Sequence, residues 1–401
     1  MRLLFVVQRY GMEVAGGAEQ ACREFATRSA ARGHQVEVLT SCAASYVDWA
    51  NAYPAGTEDL AGVEVHRLPV ARPRDHVVFG GLQHRVLIGH KPVPYHLQRE
   101  WMRQQGPDVP DLPGWLEERA PTFDVVVFFT YLYYTTWSGV PVAARLAPTL
   151  LHPTAHDEPP IYLGIFDPVF RHPHAFGFLV EEEAELVDRR FHLRRPSSVL
   201  GIGAELDVSG DADRFRRVHG LEDRPYLLFI GRVDPHKGSD ELYDQFVAYK
   251  ARYPGPLALV FLGEPVKPVS PHPDVFVTGF VDEDTRRDAI EGCLALVQPS
   301  YFESFSMVLT EAWAHRRPAL VQAHSEVLVG QARRSGGALP YRGFAQFEAA
   351  VDLLTSEPVL CRRLADSGRR YVERRYQWDD VLNRYDRLLE RTATAKPARA
   401  G

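Results

Sequence analysis

Short, nearly uninterrupted apolar runs, each leading through a loop into a helical pattern, recur along the chain and constrain its fold more than any other feature. Arg2 to Val7, Gln35 to Thr40, Val63 to Val70, Phe123 to Leu132, Phe176 to Val180 and Ser197 to Gly203 lie in the first half. Leu227 to Ile230, Leu257 to Leu262, Val275 to Val281, Leu294 to Val297 and Pro318 to Gln322 lie in the second. Such runs suit strands buried on both faces. Alternating with helices such as Gly16 to about Arg32, they predict βαβ units and parallel sheets. With 401 residues and 45% hydrophobic content, the chain is long enough for two domains with separate cores. The polar, turn-rich stretch Asp207 to Asp211 falls between the two α/β patterns and reads as a hinge.

A formal net charge of −6 argues against a dedicated nucleic-acid binder. Cys22, Cys42, Cys293 and Cys361 stand far apart with no C-x-x-C pair, which suggests neither a zinc site nor a disulfide framework and fits a reducing compartment. The first apolar run is too short for a signal-peptide core, and no run is long enough to span a bilayer, so a cytoplasmic protein is expected. Ser45 to Pro113 is less regular. Between Arg72 and Arg103, the cations Arg72, Arg74, Arg85, Lys91, Arg99 and Arg103 are opposed only by Asp75 and Glu100 and are interleaved with Phe79, Leu82, Val86, Leu87, Tyr95, Leu97 and Trp101. That segment reads either as a charged exterior over a core stripe or as a peripheral contact with anionic lipid at the cytoplasmic face of a membrane; the prolines at 92 and 94 break any clean amphipathic helix. Gly106 to Gly114 reads as an exposed loop.

Four stretches carry candidate chemistry. At Gln298 to Ala314 an apolar run stops at a loop containing Glu303, and a helical pattern begins near Phe305 with Ser304 or Ser306 available as cap; Glu311 follows two turns in. The amides of Phe305, Ser306 and Met307 would then face a phosphate at a helix start. Taken alone, the spacing also fits an ordinary turn with two solvated glutamates. At Tyr226 to Gly238 a strand feeds a loop whose Arg232 and Lys237 put two cations where a diphosphate leaving group would need neutralising. Gly16 and Gly17 open the first helix and allow close approach of a phosphate, or close packing of helix on sheet. Thr149 to Pro160 ends a strand with His156, Asp157 and Glu158. His152, His156 and Asp157 as metal ligands is the poorer reading, because Pro153 argues against the helix that the spacing requires. Gly201-Ile202-Gly203 lacks the third glycine of a dinucleotide fingerprint.

The loop with Arg232 and Lys237, followed along the chain by Glu303-x7-Glu311, resembles the donor-binding half of the family 4 retaining glycosyltransferases. Gly16-Gly17-Ala18-Glu19 resembles the glycine loop of their N-terminal domain, and the Thr-x-His at Thr154 to His156 resembles their sugar-contacting histidine. The resemblance implies the GT-B fold: α/β, with two Rossmann-like domains facing across a cleft. Residues 1–200 would form an acceptor-side domain, completed by a C-terminal helix at about 379–391, and residues 201–378 the nucleotide-sugar donor domain. Residues 392–401, poor in large apolar groups, are expected to be a disordered tail. The resemblance further implies Arg232, Lys237, Glu303 and His156 as catalytic residues. Glu311 would hold the ribose, Phe280 and Val281 the base, and Ser304, Phe305, Ser306 and Met307 the phosphate. Ser304 and Ser306 depart from the family, in which many members carry glycine there.

The activity implied is retaining transfer of a hexose from a UDP- or GDP-linked sugar to a hydroxyl of a glycan, lipid-linked or small-molecule acceptor, in cell-envelope polysaccharide assembly. The nucleotide sugar is a co-substrate, and no cofactor or metal is expected. A non-catalytic nucleotide-sugar or glycan-binding subunit, and a sugar-nucleotide epimerase or phosphorylase on the same fold, are the alternatives.

Overall fold

The apolar runs assemble into two mostly parallel sheets. The structure, a computed structural model, describes residues 1–14, 16–88 and 92–395. The chain divides into two units, Met1–Leu200 with Leu382–Gly401, and Gly201–Val381. The hinge expected at Asp207 to Asp211 therefore lies inside the second unit, where Asp211 caps the helix Ala212–His219 by accepting from the Arg214 amide.

In the first unit the strands are β1 (Arg2–Val6), β2 (Gln35–Ser41), β3 (Gly56–Leu60), β4 (Val63–Leu68), β5 (Val125–Phe129), β6 (Thr149–His152), β7 (Ala175–Phe178) and β8 (Ser197–Val199). Their order is β3-β4-β2-β1-β5-β6-β7-β8, parallel throughout except for the β3-β4 hairpin at one edge. Every residue of β5, β6 and β7 is buried, as the unbroken apolar runs require. The strand predicted over Phe123 to Leu132 is shorter, because Thr130 turns into left-handed backbone at φ 67°. The hairpin strand β3, polar and exposed, has no apolar signature and was not expected.

Two expectations for this unit are corrected, the exposed loop at Gly106 to Gly114 and the disordered tail, whereas the described residues between 72 and 105 form the charged exterior over a core stripe, with Leu82, Val86 and Trp101 buried. Residues 72–105 contain the helices His76–Gln83 and Tyr95–Gln105, with a π-helical turn at His84–Ile88. Lys91 lies outside the described residues. Gly106 to Gly114 is not an exposed loop: Val109 and Leu112 are fully buried, and the helix Leu112–Arg119 starts within it. The helix Trp378–Ala393 returns the chain to the first unit, where Tyr385 packs on Phe25 with ring centroids 4.7 Å apart. It also corrects the tail, because Thr392 is buried and helical. Residues 396–401 of that expected tail lie outside the described residues.

In the second unit β9 (Tyr226–Ile230), β10 (Ala258–Leu262), β11 (Val275–Val277), β12 (Ala295–Gln298), β13 (Ala319–Gln322) and β14 (Ala338–Tyr341) form an all-parallel sheet in the order β11-β10-β9-β12-β13-β14. Chain order reverses between β9 and β12, so the loops leaving their carboxyl ends diverge and leave room for a ligand. The helix Met307–Ala314 follows β12 and buries Trp313 completely. The indole donates to the Gly337 carbonyl at 2.9 Å and rests on Gly368 of the helix Pro358–Arg375. A Cβ at Gly368 would collide with the ring, which its hydrogen bond prevents from moving aside. Gly368→Ala should therefore cost about 1–3 kcal/mol despite the better helix propensity of alanine. Thermal unfolding beside wild type checks this, and an unchanged midpoint would show that the Trp313 helix can shift.

Candidate functional site

The carboxyl edge of the second sheet gathers the charged residues singled out above. From β9 the chain passes Gly231 and Arg232 into a short 3-10 turn, Pro235–Lys237, and then into the helix Ser239–Arg252. Asp234 shapes this loop: its carboxylate accepts from the His236 amide at 2.9 Å and lies 2.8 Å from an Arg232 guanidinium nitrogen. Gly238, at φ 76°, closes the turn against the Pro299 carbonyl so tightly that any Cβ would strike that oxygen. This contact joins the β9 loop to the β12 loop. Lys237 Nζ donates to Glu303 Oε1 at 2.8 Å, with the lysine 42% and the glutamate 10% exposed.

Gln298, the last residue of β12, lies 3.5 Å from Glu303 Oε1 and donates to the Ser306 hydroxyl at 3.0 Å. Neither serine caps the following helix. Ser306 stands at the cap position in left-handed backbone, φ 69°, with no side-chain cap bond, and its hydroxyl is turned to Gln298. The start of this helix is thus set by backbone alone, at a cost of about 1–2 kcal/mol for a non-glycine residue in that conformation. Ser304 is half-buried in the same loop, as is Met307 at the first helical position. Phe305 is buried edge-on against Tyr376, so only its backbone can meet a ligand. A buried set made of Gln331, Tyr371 and Tyr376 stands behind it, with Gln331 donating to the Phe305 carbonyl.

Glu311 is ion-paired with Arg286 of the helix Glu283–Gly292. Phe280 is 80% exposed in the loop after β11 and Val281 is half-buried. Val233 lies beside Pro265 and Gly263 beside Gly279 as isolated bridges, so the loops after β9, β10 and β11 are tied together.

The first unit carries the other candidates at the carboxyl edge of its own sheet. Gly16 precedes the helix Gly17–Ala31, whose first turn holds Glu19. That carboxylate occupies the space a Gly16 side chain would need, and it is buried with Arg9, whose Nε donates to it at 2.9 Å. The helix start is thus already met by a protein carboxylate, while Gly17 is open. His156 Nδ1 lies 3.1 Å from Glu158 Oε1, which accepts from the Tyr131 hydroxyl. Asp157 turns away to accept from Tyr162. Glu158, not Asp157, is therefore the carboxylate beside the histidine. Below this loop the buried Glu183 accepts from the Ala155 and Leu179 amides at 2.8 and 2.6 Å. Burial pushes its carboxyl up to about 8 against the pull of those amides.

His152 does not join His156. It is fully buried, stacked on Phe129 with centroids 4.3 Å apart and beside Phe25. Among the described residues the group with metal-ligand spacing is instead Glu37, Glu64 and His66, where Arg2 and Arg119 already reach Glu37. No helix of the described residues is long and apolar enough to cross a membrane.

Arg286, Gln298, Asp234 and Glu183 were not expected from the sequence, and which of Asp157 and Glu158 lies beside His156 was open there. A polar residue closing an apolar run was a signal for Gln298. Arg286 adjoins Arg287 on a charged helix, and nothing in the sequence says which of the two turns toward Glu311.

Residues 211–371, within the second unit, match the sequence model of the family described as glycosyl transferases group 1. The chain is 27% identical over 425 residues to D-inositol 3-phosphate glycosyltransferase of Stackebrandtia nassauensis, covering 97% of this chain and 90% of that one. Among solved structures it matches sucrose-phosphate synthase from Thermosynechococcus elongatus with TM-score 0.73 at 16% identity, over 98% of this chain and all of that one. It matches Anabaena HepE in complex with UDP-glucose with TM-score 0.70 at 13% identity and the same coverage. The α/β fold is that of the GT-B glycosyltransferases along the full chain. Over residues 211–371 the chain is thus similar to that family, and along its full length to the GT-B fold.

Burial holds the His152 imidazole neutral, with its pKa pushed down to about 3. The unfolded chain therefore binds a proton near pH 6.5 that the folded chain refuses, so this stabilising contribution is complete above pH 6.5 and is lost as pH falls toward 3. His152→Leu should remove a slope of at most about 1.4 kcal/mol per pH unit in that window. Urea unfolding of wild type and variant at pH 4.5 and pH 7 measures it; parallel losses in both proteins would show that His152 is protonated in the folded state.

Proposed function

We propose that the chain is a retaining hexosyltransferase that binds a UDP- or GDP-linked sugar on its second unit. What supports the reading is one juxtaposition: the Lys237 to Glu303 pair at 2.8 Å, at the strand-order reversal, beside Arg232 and an uncapped helix start. A diphosphate placed there would draw Lys237 and Arg232 from Glu303 and Asp234 and would receive the free amides of the loop into Met307. Glu303, released from its lysine, would accept hydroxyls of the sugar. By resemblance His156, with Glu158 beside its ring, would be a sugar-contacting residue. Glu311 takes the ribose hydroxyls, and Phe280 and Val281 lie against the base.

In the reaction the bond between the anomeric carbon and the β-phosphate oxygen breaks, and its electron pair leaves with the diphosphate. The acceptor oxygen attacks from the same face and passes its proton to the departing phosphate, so configuration is kept. The two cations neutralise the leaving group in place of a divalent metal. We place the protein in the cytoplasm, with an acceptor from cell-envelope polysaccharide or glycolipid assembly. Among the named relatives, the HepE structure holds UDP-glucose, which suits a nucleotide-sugar donor.

Release of free nucleotide from UDP-, GDP- and ADP-sugars, with and without chelator, tests this directly. One donor should turn over regardless of chelator, and Arg232→Ala or Glu303→Gln should lower kcat by about 10²–10³-fold. Binding without turnover for any donor or candidate acceptor would point to a nucleotide-sugar-binding subunit, and loss of activity with chelator would overturn the metal-free chemistry.

A further inference from the structure

Glu311 lies about one turn into its helix, Met307–Ala314, on a side chain with three rotatable bonds, and an oxygen on such a stem needs an anchor to face a ligand in one direction. The anchor is Arg286. One of its terminal nitrogens donates to Glu311 Oε2, and the other lies 3.3 Å from Glu283 Oε2 on its own helix. The guanidinium is 17% exposed and the Glu311 side chain 27%, so the arginine sits behind the carboxylate and part of the carboxylate stays open. Burial opposes the charge of Arg286, but the Glu311 and Glu283 carboxylates outweigh it and hold its pKa above the ordinary value.

The helix carrying Arg286 starts directly after the loop with Phe280 and Val281, where Asp282 caps it by accepting from the Thr285 amide at 2.8 Å. The Arg286 to Glu311 bond therefore ties the loop after β11 to the helix after β12. A free carboxylate near a nucleoside diphosphate would also repel it, and the guanidinium removes that repulsion.

We propose that Arg286 is a positioning residue for ribose recognition: it holds Glu311 through Oε2 and leaves Oε1 directed at the ribose hydroxyls. The inference rests on the reading of Glu311 as the ribose ligand. Selectivity for a ribonucleotide over its deoxy counterpart is then a property of the pair, although only Glu311 touches the sugar.

The test is calorimetric titration of the full chain with UDP, GDP and ADP and with their 2′-deoxy counterparts. Wild type, Arg286→Met, Arg286→Lys, Glu311→Gln and the Arg286→Met/Glu311→Gln double variant are compared, each checked for an intact thermal unfolding transition. Wild type should prefer the ribo form of the nucleotide it binds by roughly tenfold, the worth of one hydrogen bond to a charged group. Arg286→Met and Glu311→Gln should each bring that ratio near one, and the double variant should go no lower, because the two act as a unit. A full ribose preference in Arg286→Met while Glu311→Gln loses it would overturn the role of Arg286 and leave the ribose reading standing. A full preference in Glu311→Gln would overturn both. If Arg286→Met does not fold, Arg286→Lys decides: a lysine keeps the charge but not the planar fork, so a reduced ratio supports the proposal and an undiminished one overturns it.

Discussion

The close backbone approach of Gly238 to the carbonyl of Pro299, in the candidate donor site, is the constraint on which its geometry depends. Strand order alone brings two loops to the same edge of the sheet, since β9 and β12 are neighbours and their following helices diverge. Glycine then lets the loops touch, and contact at that range places Lys237 Nζ on Glu303. The remaining parts follow from the same junction. Asp234 holds Arg232 within the first loop, Gln298 steadies Glu303 and Ser306 in the second, and Gln331 with Tyr371 and Tyr376 supports Phe305 from below.

Charge is arranged here in pairs. Lys237 with Glu303, Arg232 with Asp234 and Arg286 with Glu311 each set a cation beside a carboxylate. Partly exposed pairs of this kind contribute little to stability. Their value is orientation, since each side chain is held close to where an anionic or hydroxylic ligand would use it, and less ordering is left for the binding step. The left-handed backbone at Ser306 is the corresponding strain, placed at a helix start that no side chain caps.

The first unit holds its edge by a different device. Thr130 and Thr154, both in left-handed backbone, join hydroxyls at 2.9 Å, and the buried carboxyl of Glu183 gathers amides from the loops after β6 and β7. His156 stands above that carboxyl with Glu158 at its ring, so the histidine loop is shaped from beneath by a group that no ligand can reach.

Much of this was legible in the chain. Strands buried on both faces need apolar residues at every position, so runs such as Leu227 to Ile230 announce themselves and imply parallel sheets. Glycines before helices and a cation pair on one loop are equally local signals. The strand β3 was not legible, because it is a polar, exposed hairpin partner of β4 with no apolar run of its own, and neither were the bounds of the helices between residues 76 and 105. Nor was the direction of a side chain: Phe305 turned inward, Phe280 outward, and Ser306 declined to cap. By itself the sequence determined the strand–loop–helix grammar and the identity of the charged residues, since both depend on composition over a few residues. Only the tertiary structure decided which charges meet, because Lys237 and Glu303, or Arg286 and Glu311, are joined by strand order and by the room a glycine leaves, and neither is encoded near them in the chain.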